Sequence, residues 1–236
     1  MKTIGLIGGM SWESTATYYR LINEQVRDRR GGLHSAEIAL RSLDFTRVVD
    51  LQKAGRWDEA GALLGEAGAG LARAGAACIL ICTNTMHLVA APVAAMVGVP
   101  LIDIIDETAR SLKLDGRRRP LLLATRYTME HGFYTSRMAA LDIEVMVPEA
   151  EDRQRVHNVI FDELCQGRIC EEARADYGAI IARARRAGAD SVILGCTEIG
   201  LLLDAGDLAL PGYDSTTIHA SAAVRFALDE LESAAA

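Results

Sequence analysis

Short apolar runs alternate along the chain with longer segments whose apolar positions recur every three or four residues. Runs of four to six apolar residues bounded by glycine, proline or small polar groups read as buried strands. The longer periodic segments read as the helices that cover them. Residues 3–8 form a first strand on this reading. The turn at Gly8 and Gly9 then feeds a helix over 13–29, capped by Ser11 or Ser14, with Tyr18, Leu21, Ile22 and Val26 on its inner face. Strands are predicted at 37–42 and 77–81, separated by two helices that part near Gly55; Trp57, Leu63, Leu64 and Leu71 make the apolar stripe of the longer one. A helix opening at 83–87 is kinked or restarted by Pro92. There follow a short strand at 99–103, a helix to 114, a strand at 120–124, a helix through 138, a strand at 143–147 and helices at 152–165 and 171–187. A strand at 191–194 and a C-terminal helix ending near 231 complete the pattern.

The order strand, helix, strand, helices, strand, helix occurs twice, offset by about 110 residues. Ala74-Gly75-Ala76 precedes Cys82 as Ala187-Gly188-Ala189 precedes Cys196. Val99-Pro100 and Asp103 are echoed by Leu210-Pro211 and Asp214, and the turn before Tyr18-Tyr19 by the turn before Phe133-Tyr134. Helical crossovers produce parallel strands. The expected architecture is therefore α/β: two similar parallel-sheet domains related by a pseudo-twofold axis, with the active site in the inter-domain cleft. Taking the proline-containing segments as the crossovers, residues 1–98 and 211–236 form the N-terminal domain and 99–210 the second.

Composition narrows the function classes. The chain has 236 residues, half of them hydrophobic, enough for two real cores. Its net charge of −7 comes from scattered acids, and the one basic cluster, Arg117-Arg118-Arg119, reads as a solvated turn, so nucleic acid is not an expected partner. No apolar stretch is long enough to span a membrane. Five cysteines, an odd number, with an apolar start broken by Gly5, Gly8 and Gly9 instead of a signal sequence, place the protein in the reducing cytoplasm. The glycine spacing is not the dinucleotide fingerprint, and no acidic residue closes the next strand at Ala39-Leu40-Arg41. His34, His131, His157 and His219 form no metal-ligand spacing.

The candidate chemistry sits at two strand ends. Ile79-Leu80-Ile81 stops at Cys82-Thr83-Asn84-Thr85, and Val192-Ile193-Leu194 stops at Gly195-Cys196-Thr197-Glu198. Strands ending this way deliver their cysteines to the carboxyl edge of the sheet, where ligands of α/β proteins bind. One thiol on each side of a cleft suits removing a proton from one face of a carbon and returning one on the other. A helix start beside each cysteine is expected to lower its pKa. The helix-start amides, with Thr83, Thr85 and Thr197 and the Asn84 amide, could bind a carboxylate and stabilise the charge left when its α-proton departs. Thr125 occupies the repeat position of the Gly8-Gly9 turn and is expected to face the same cleft. Cys78 reads as core, Cys165 and Cys170 as packing or loop residues, and His87 as a packed or capping histidine or one that tunes the site. Glu198 either orients the site or caps its helix.

Cys82-Thr83-Asn84-Thr85, Gly195-Cys196-Thr197-Glu198 and the opening Ile4-Gly5-Leu6-Ile7-Gly8-Gly9-Met10 together resemble the cofactor-independent aspartate/glutamate racemase family, across essentially the whole chain. Met10-Ser11-Trp12-Glu13-Ser14-Thr15, with residues 82–87 and 196–202, is most similar to its bacterial broad-specificity amino-acid racemase branch. The resemblance implies racemisation of a small-molecule amino-acid substrate by two bases, Cys82 and Cys196, with no pyridoxal phosphate or other cofactor, in a homodimer. It also implies that Met10, Ser11, Asn84, Thr85, Thr125 and Thr197 line the substrate site. The available lysines, Lys2, Lys53 and Lys113, are in no recognisable Schiff-base setting. Family members acting on glutamate tend to carry histidine after the second Cys-Thr pair, where this chain has Glu198, and the aspartate-specific branch places a lysine near the position of Cys165. Recognition of a side-chain carboxylate is then left to an arginine such as Arg47, or to nothing. Two other readings are hydantoin racemase or maleate isomerase chemistry with a nucleophilic cysteine, and a non-catalytic small-acid binding protein.

Overall fold

A computed structural model of the chain describes residues 1–206 and 208–230. The chain divides into two compact units, Met1–Asp103 together with the chain from His219 on, and Ile104–Ile218. Each has its own parallel three-stranded sheet.

The first unit contains β1 (Ile4–Gly8), α1 (Trp12–Arg30), β2 (Ile38–Ser42), α2 (Phe45–Lys53), α3 (Trp57–Arg73), β3 (Cys78–Ile81), a 3-10 turn (Thr85–Val89) and α4 (Ala90–Val97). Its sheet runs in the order β2-β1-β3. β1 and β3 are buried throughout, as strands covered on both faces must be. Alternation along the strands splits the core in two. Ile4, Leu6, Cys78 and Leu80 pack against Tyr18, Ile22 and Val26 of α1 and against Ala220, Ala223 and Val224 of the returning chain. Ile7, Ile79 and Ile81 pack on the other face against Leu64 and Leu71 of α3 and Val93 and Val97 of α4. Gly5 lies where a Cβ would meet Ile79, Ala76 and the Cys78 carbonyl, so the close approach of β3 and the turn leading into it needs its missing side chain.

The second unit contains α5 (Ile104–Leu114), β4 (Pro120–Leu123), α6 (Arg126–Glu130), α7 (Phe133–Ala139), α8 (Ala150–Asn158), α9 (Glu171–Arg186), β5 (Ser191–Leu194), α10 (Ile199–Leu202) and β6 (Gly212–Asp214); α11 (Ser215–Ala227) follows. Its sheet order is β4-β5-β6. Single parallel bridges extend both sheets to the same four-position plan: β2, β1, β3 and Leu101 in the first, Met146, β4, β5 and β6 in the second.

The structure trims several expected elements. Residues 99–103 and 143–147 are not full strands but single bridges, Leu101 on Ile79 and Met146 on Leu121. Each is held by two hydrogen bonds to its neighbour, and Pro100 and Pro148 limit further pairing. The helix expected through 138 breaks at Gly132, whose φ is 76°. The one expected over 152–165 widens into a π turn at Val159–Glu163 and tightens into a 3-10 turn at Leu164–Gln166. α11 ends at Ala227; the expected end near Leu231 lies outside the described residues. The crossovers also fall beyond the proline segments, at Asp103 and Ile218. The reason is pairing: Leu101 bonds into the first sheet, and β6 bonds along β5 in the second. Among the described residues no helix is long and apolar enough to cross a membrane.

Candidate active site

The turn after β1 and the loop after β3 are tied together by short polar side chains. Gly9 adopts φ 85° and its N–H donates to Thr15 Oγ1 at 2.8 Å; the Thr15 hydroxyl donates to the Ser11 carbonyl at 3.0 Å. Ser11 caps α1 by accepting from the Ser14 amide at 3.2 Å. Ser14 Oγ donates to the Cys82 carbonyl at 3.1 Å, and the Cys82 amide donates to the Ile7 carbonyl at 3.0 Å. Met10, Ser11 and Cys82 thus belong to one hydrogen-bonded edge, with Met10 and Cys82 buried. Asn84 and Thr85, also buried, continue the loop, and His87 Nδ1–H donates to the Thr83 carbonyl at 2.8 Å, which fixes its bend.

The second unit repeats this edge with different residues. Thr125 follows β4 as the cap of α6, accepts from the Thr128 amide and lies 3.2 Å from the Thr128 hydroxyl. Gly195 follows β5 and donates to the Leu123 carbonyl at 2.7 Å; a Cβ there would press on Leu122, Ala124 and that same carbonyl. Cys196 is half-buried and its Sγ–H donates to Glu198 Oε2 at 2.9 Å; the Thr197 hydroxyl donates to the same oxygen at 2.8 Å. Each unit therefore ends its central pair of strands with a small-residue turn on one side and a Cys-Thr pair on the other.

The sequence model of the Asp/Glu/hydantoin racemase family matches residues 7–223 of this chain. The chain belongs to that family. Among solved structures, one from Yersinia pestis described as "a putative Asp/Glu racemase" is 49% identical, with a TM-score of 0.92, over 97% of this chain and 100% of that one. An aspartate racemase homologue from Pyrococcus horikoshii is 34% identical, with a TM-score of 0.87 over 97% of this chain and 100% of its own. Glutamate racemase from Francisella tularensis, solved with D-glutamate, shares the fold: TM-score 0.63 and 15% identity over 98% of this chain and 84% of that one.

Within this family setting the electrostatics correct one expectation. Neither cysteine has a lowered pKa. Burial pushes the Cys82 thiol well up; burial, then the Glu198 carboxylate, push up that of Cys196. The helix start beyond Cys82 is a 3-10 turn that runs on into α4, and the one beyond Cys196 is the four-residue α10, too short to sum much dipole. In both, burial works against the thiolate and favours the thiol.

Other residues are resolved by position. Cys78 is core, its thiol pushed up to about 12 by burial. His87 is buried, 5.6 Å ring to ring from His219. Glu198 stands at the cap position of α10 but makes no side-chain cap; its carboxylate turns to Cys196. Arg47 is exposed on α2 and lines a groove of about 780 Å³ with Leu40, Arg41, Leu63 and Met96; no residue of the Met10 or Cys82 loops shares it. Ser14 and Thr15 are the residues that sequence reasoning missed. Their signal was present as a hydroxyl run, Ser11, Ser14, Thr15, at a helix start, but capping explains such a run equally well. Among the described residues no group of three or more His, Cys, Asp or Glu is arranged to hold a metal ion.

Proposed function

We propose that the protein is an amino-acid racemase that interconverts L and D enantiomers by two-base proton transfer, with Cys82 and Cys196 acting on opposite faces of one Cα. The observation that carries this reading is the duplicated strand end: counting the bridges at Leu101 and Met146, β3 and β5 each take the third of four places in their sheets, and each leads into Cys-Thr, β5 through Gly195. In each direction one cysteine takes the α-proton as thiolate while the other gives one as thiol. The chemistry uses side chains and backbone amides alone, with no pyridoxal phosphate. Met10, Ser11, Asn84, Thr85, Thr125 and Thr197 are proposed to bind the substrate: hydroxyls and the Asn84 amide suit its carboxylate and the enediolate-like charge. A broad substrate range is part of the proposal, because Glu198, an acid, stands next to Cys196, where it would repel a second substrate carboxylate. The active protein is proposed to be a homodimer, as the resemblance implies.

Incubation of single enantiomers in heavy water tests the reading. Deuterium at Cα and loss of optical activity are the expected result, with a panel of amino acids defining the substrate; absence of exchange with every amino acid would sink it. Cys82→Ser and Cys196→Ser should each reduce racemisation by at least about a thousandfold, the scale of losing an essential base. Full activity in either variant refutes the two-base assignment.

A further inference from the structure

The two thiols are not equivalent. Burial alone acts on Cys82, whereas the Cys196 Sγ–H donates to Glu198 Oε2 at 2.9 Å. The Thr197 hydroxyl donates to the same oxygen at 2.8 Å, and Glu198 is only 9% exposed. An oxygen that accepts twice leaves the hydrogen on the sulfur. A carboxylate at this distance also opposes formation of a second negative charge beside it. The Glu198 backbone N–H works the other way and is the weakest of these influences. Cys165, from the turn before α9, adds to the rise at Cys196, and the Tyr177 hydroxyl of α9 donates to the Val156 carbonyl at 3.1 Å. The Arg174 guanidinium of α9 is engaged by the Leu202 carbonyl, and Arg155 by Asp176 and Glu163.

We propose that Glu198 is a positioning residue that holds Cys196 as the thiol and aims its S–H, making Cys196 the proton-donating side of the resting site and Cys82 the side that must lose a proton first. This deepens the racemase reading and takes its catalytic meaning from it. In the favoured direction the Cys82 thiolate takes the α-proton, forming S–H as Cα–H breaks. The Cys196 S–H then breaks as the new Cα–H forms, and its electron pair stays on sulfur. The thiolate left beside Glu198 is the less tolerated anion, so Cys196 is the first to be reprotonated from solvent, and Cys82 gives up its proton to restore the starting state.

The test is alkylation of Cys196 by iodoacetamide across pH, followed by peptide mass spectrometry, on the full-length protein and its Glu198→Gln and Glu198→Asp variants. Glutamine keeps the shape and the accepting oxygen but removes the charge. The Glu198→Gln curve is expected to move to lower pH by about one unit, giving roughly tenfold faster alkylation in the mildly alkaline range, while Glu198→Asp stays near wild type. A Glu198→Gln curve that does not move, or moves to higher pH, overturns the proposal. Where Glu198→Gln fails to fold, an ultraviolet thiolate titration of wild type against Cys196→Ser decides the matter: thiol at neutral pH upholds the proposal and thiolate at neutral pH overturns it. In turnover Glu198→Gln should change kcat and KM unequally for the two enantiomers, while the ratio of their kcat/KM values stays fixed by the equilibrium. Alkylation needs no substrate, so absence of Cα exchange would count against the racemase reading and a static alkylation curve against Glu198.

Discussion

Four residues apart on one chain, Cys78 and Cys82 show how position and not residue type makes a candidate base. Cys78 points into the face covered by α1, inside a strand paired on both sides, whereas Cys82 comes one residue after β3 ends, where the backbone bends away. Both thiols are raised by burial, so the Cys82 thiolate of the proposed mechanism must be made against that penalty. The sign follows directly: a raised thiol is protonated at neutral pH and ionises only as pH climbs. The log of kcat/KM should therefore rise with pH through neutrality and level off only above the range of a free thiol, about 8.5. A rate that is already flat at neutral pH would show that substrate or a partner group lowers the pKa. Ser14 is a second residue-scale test. Its hydroxyl is buried and donates to the Cys82 carbonyl, so Ser14→Ala removes a buried bond and should cost about 1–3 kcal/mol in denaturant unfolding. It should also lower kcat by loosening the cysteine loop.

At the scale of elements, the turn from β1 to α1 is the most constrained segment of the first unit. Gly9 combines a φ of 85° with a backbone so close to Leu43 that any Cβ would collide with it. Gly9→Ala should destabilise the protein by at least about 2 kcal/mol, since both left-handed strain and a backbone clash are introduced. By contrast Gly55→Ala carries the φ strain of 67° in open space and should cost only about 1 kcal/mol. Thermal melts of the pair separate the two effects, and equal losses would contradict the clash. Helix and strand positions were largely legible in the sequence because apolar periodicity reports burial directly. The bridges at Leu101 and Met146 and the π turn at Val159–Glu163 were not, since they depend on how many backbone groups a neighbouring strand or turn can satisfy.

At the scale of the whole molecule, the chain leaves its first unit at Asp103 and returns to it at His219. His219 secures the return: its Nε2–H donates to the Ile102 carbonyl at 2.7 Å, and Nδ1 accepts from the Tyr18 hydroxyl at 2.8 Å. Burial, followed by the neighbouring His87, depresses its pKa to about 3. A histidine held neutral in the fold but protonated when unfolded contributes stability that is complete above its unfolded pKa, about 6.5, and is lost as pH falls towards 3. Between pH 6.5 and 4.5 this one group should remove about 2–3 kcal/mol. The melting temperature of wild type should fall across that interval. His219→Gln, less stable at neutral pH, should show a shallower fall, and a parallel fall would assign the acid sensitivity elsewhere.

The sequence by itself determined the α/β class, the duplicated order of elements, the family and the two cysteines at the ends of equivalent strands. These follow from hydrophobic period and from motifs carried by adjacent residues, which need no knowledge of distant contacts. The tertiary structure decided what adjacency cannot show. It set the direction in which both thiol pKa values move, upwards, because both sulfurs are buried. It also turned Glu198 from its helix to the Cys196 sulfur and tied Ser14 to the Cys82 carbonyl across 68 residues of chain. Desolvation and side-chain direction depend on what packs around a residue, and the fold alone supplies that.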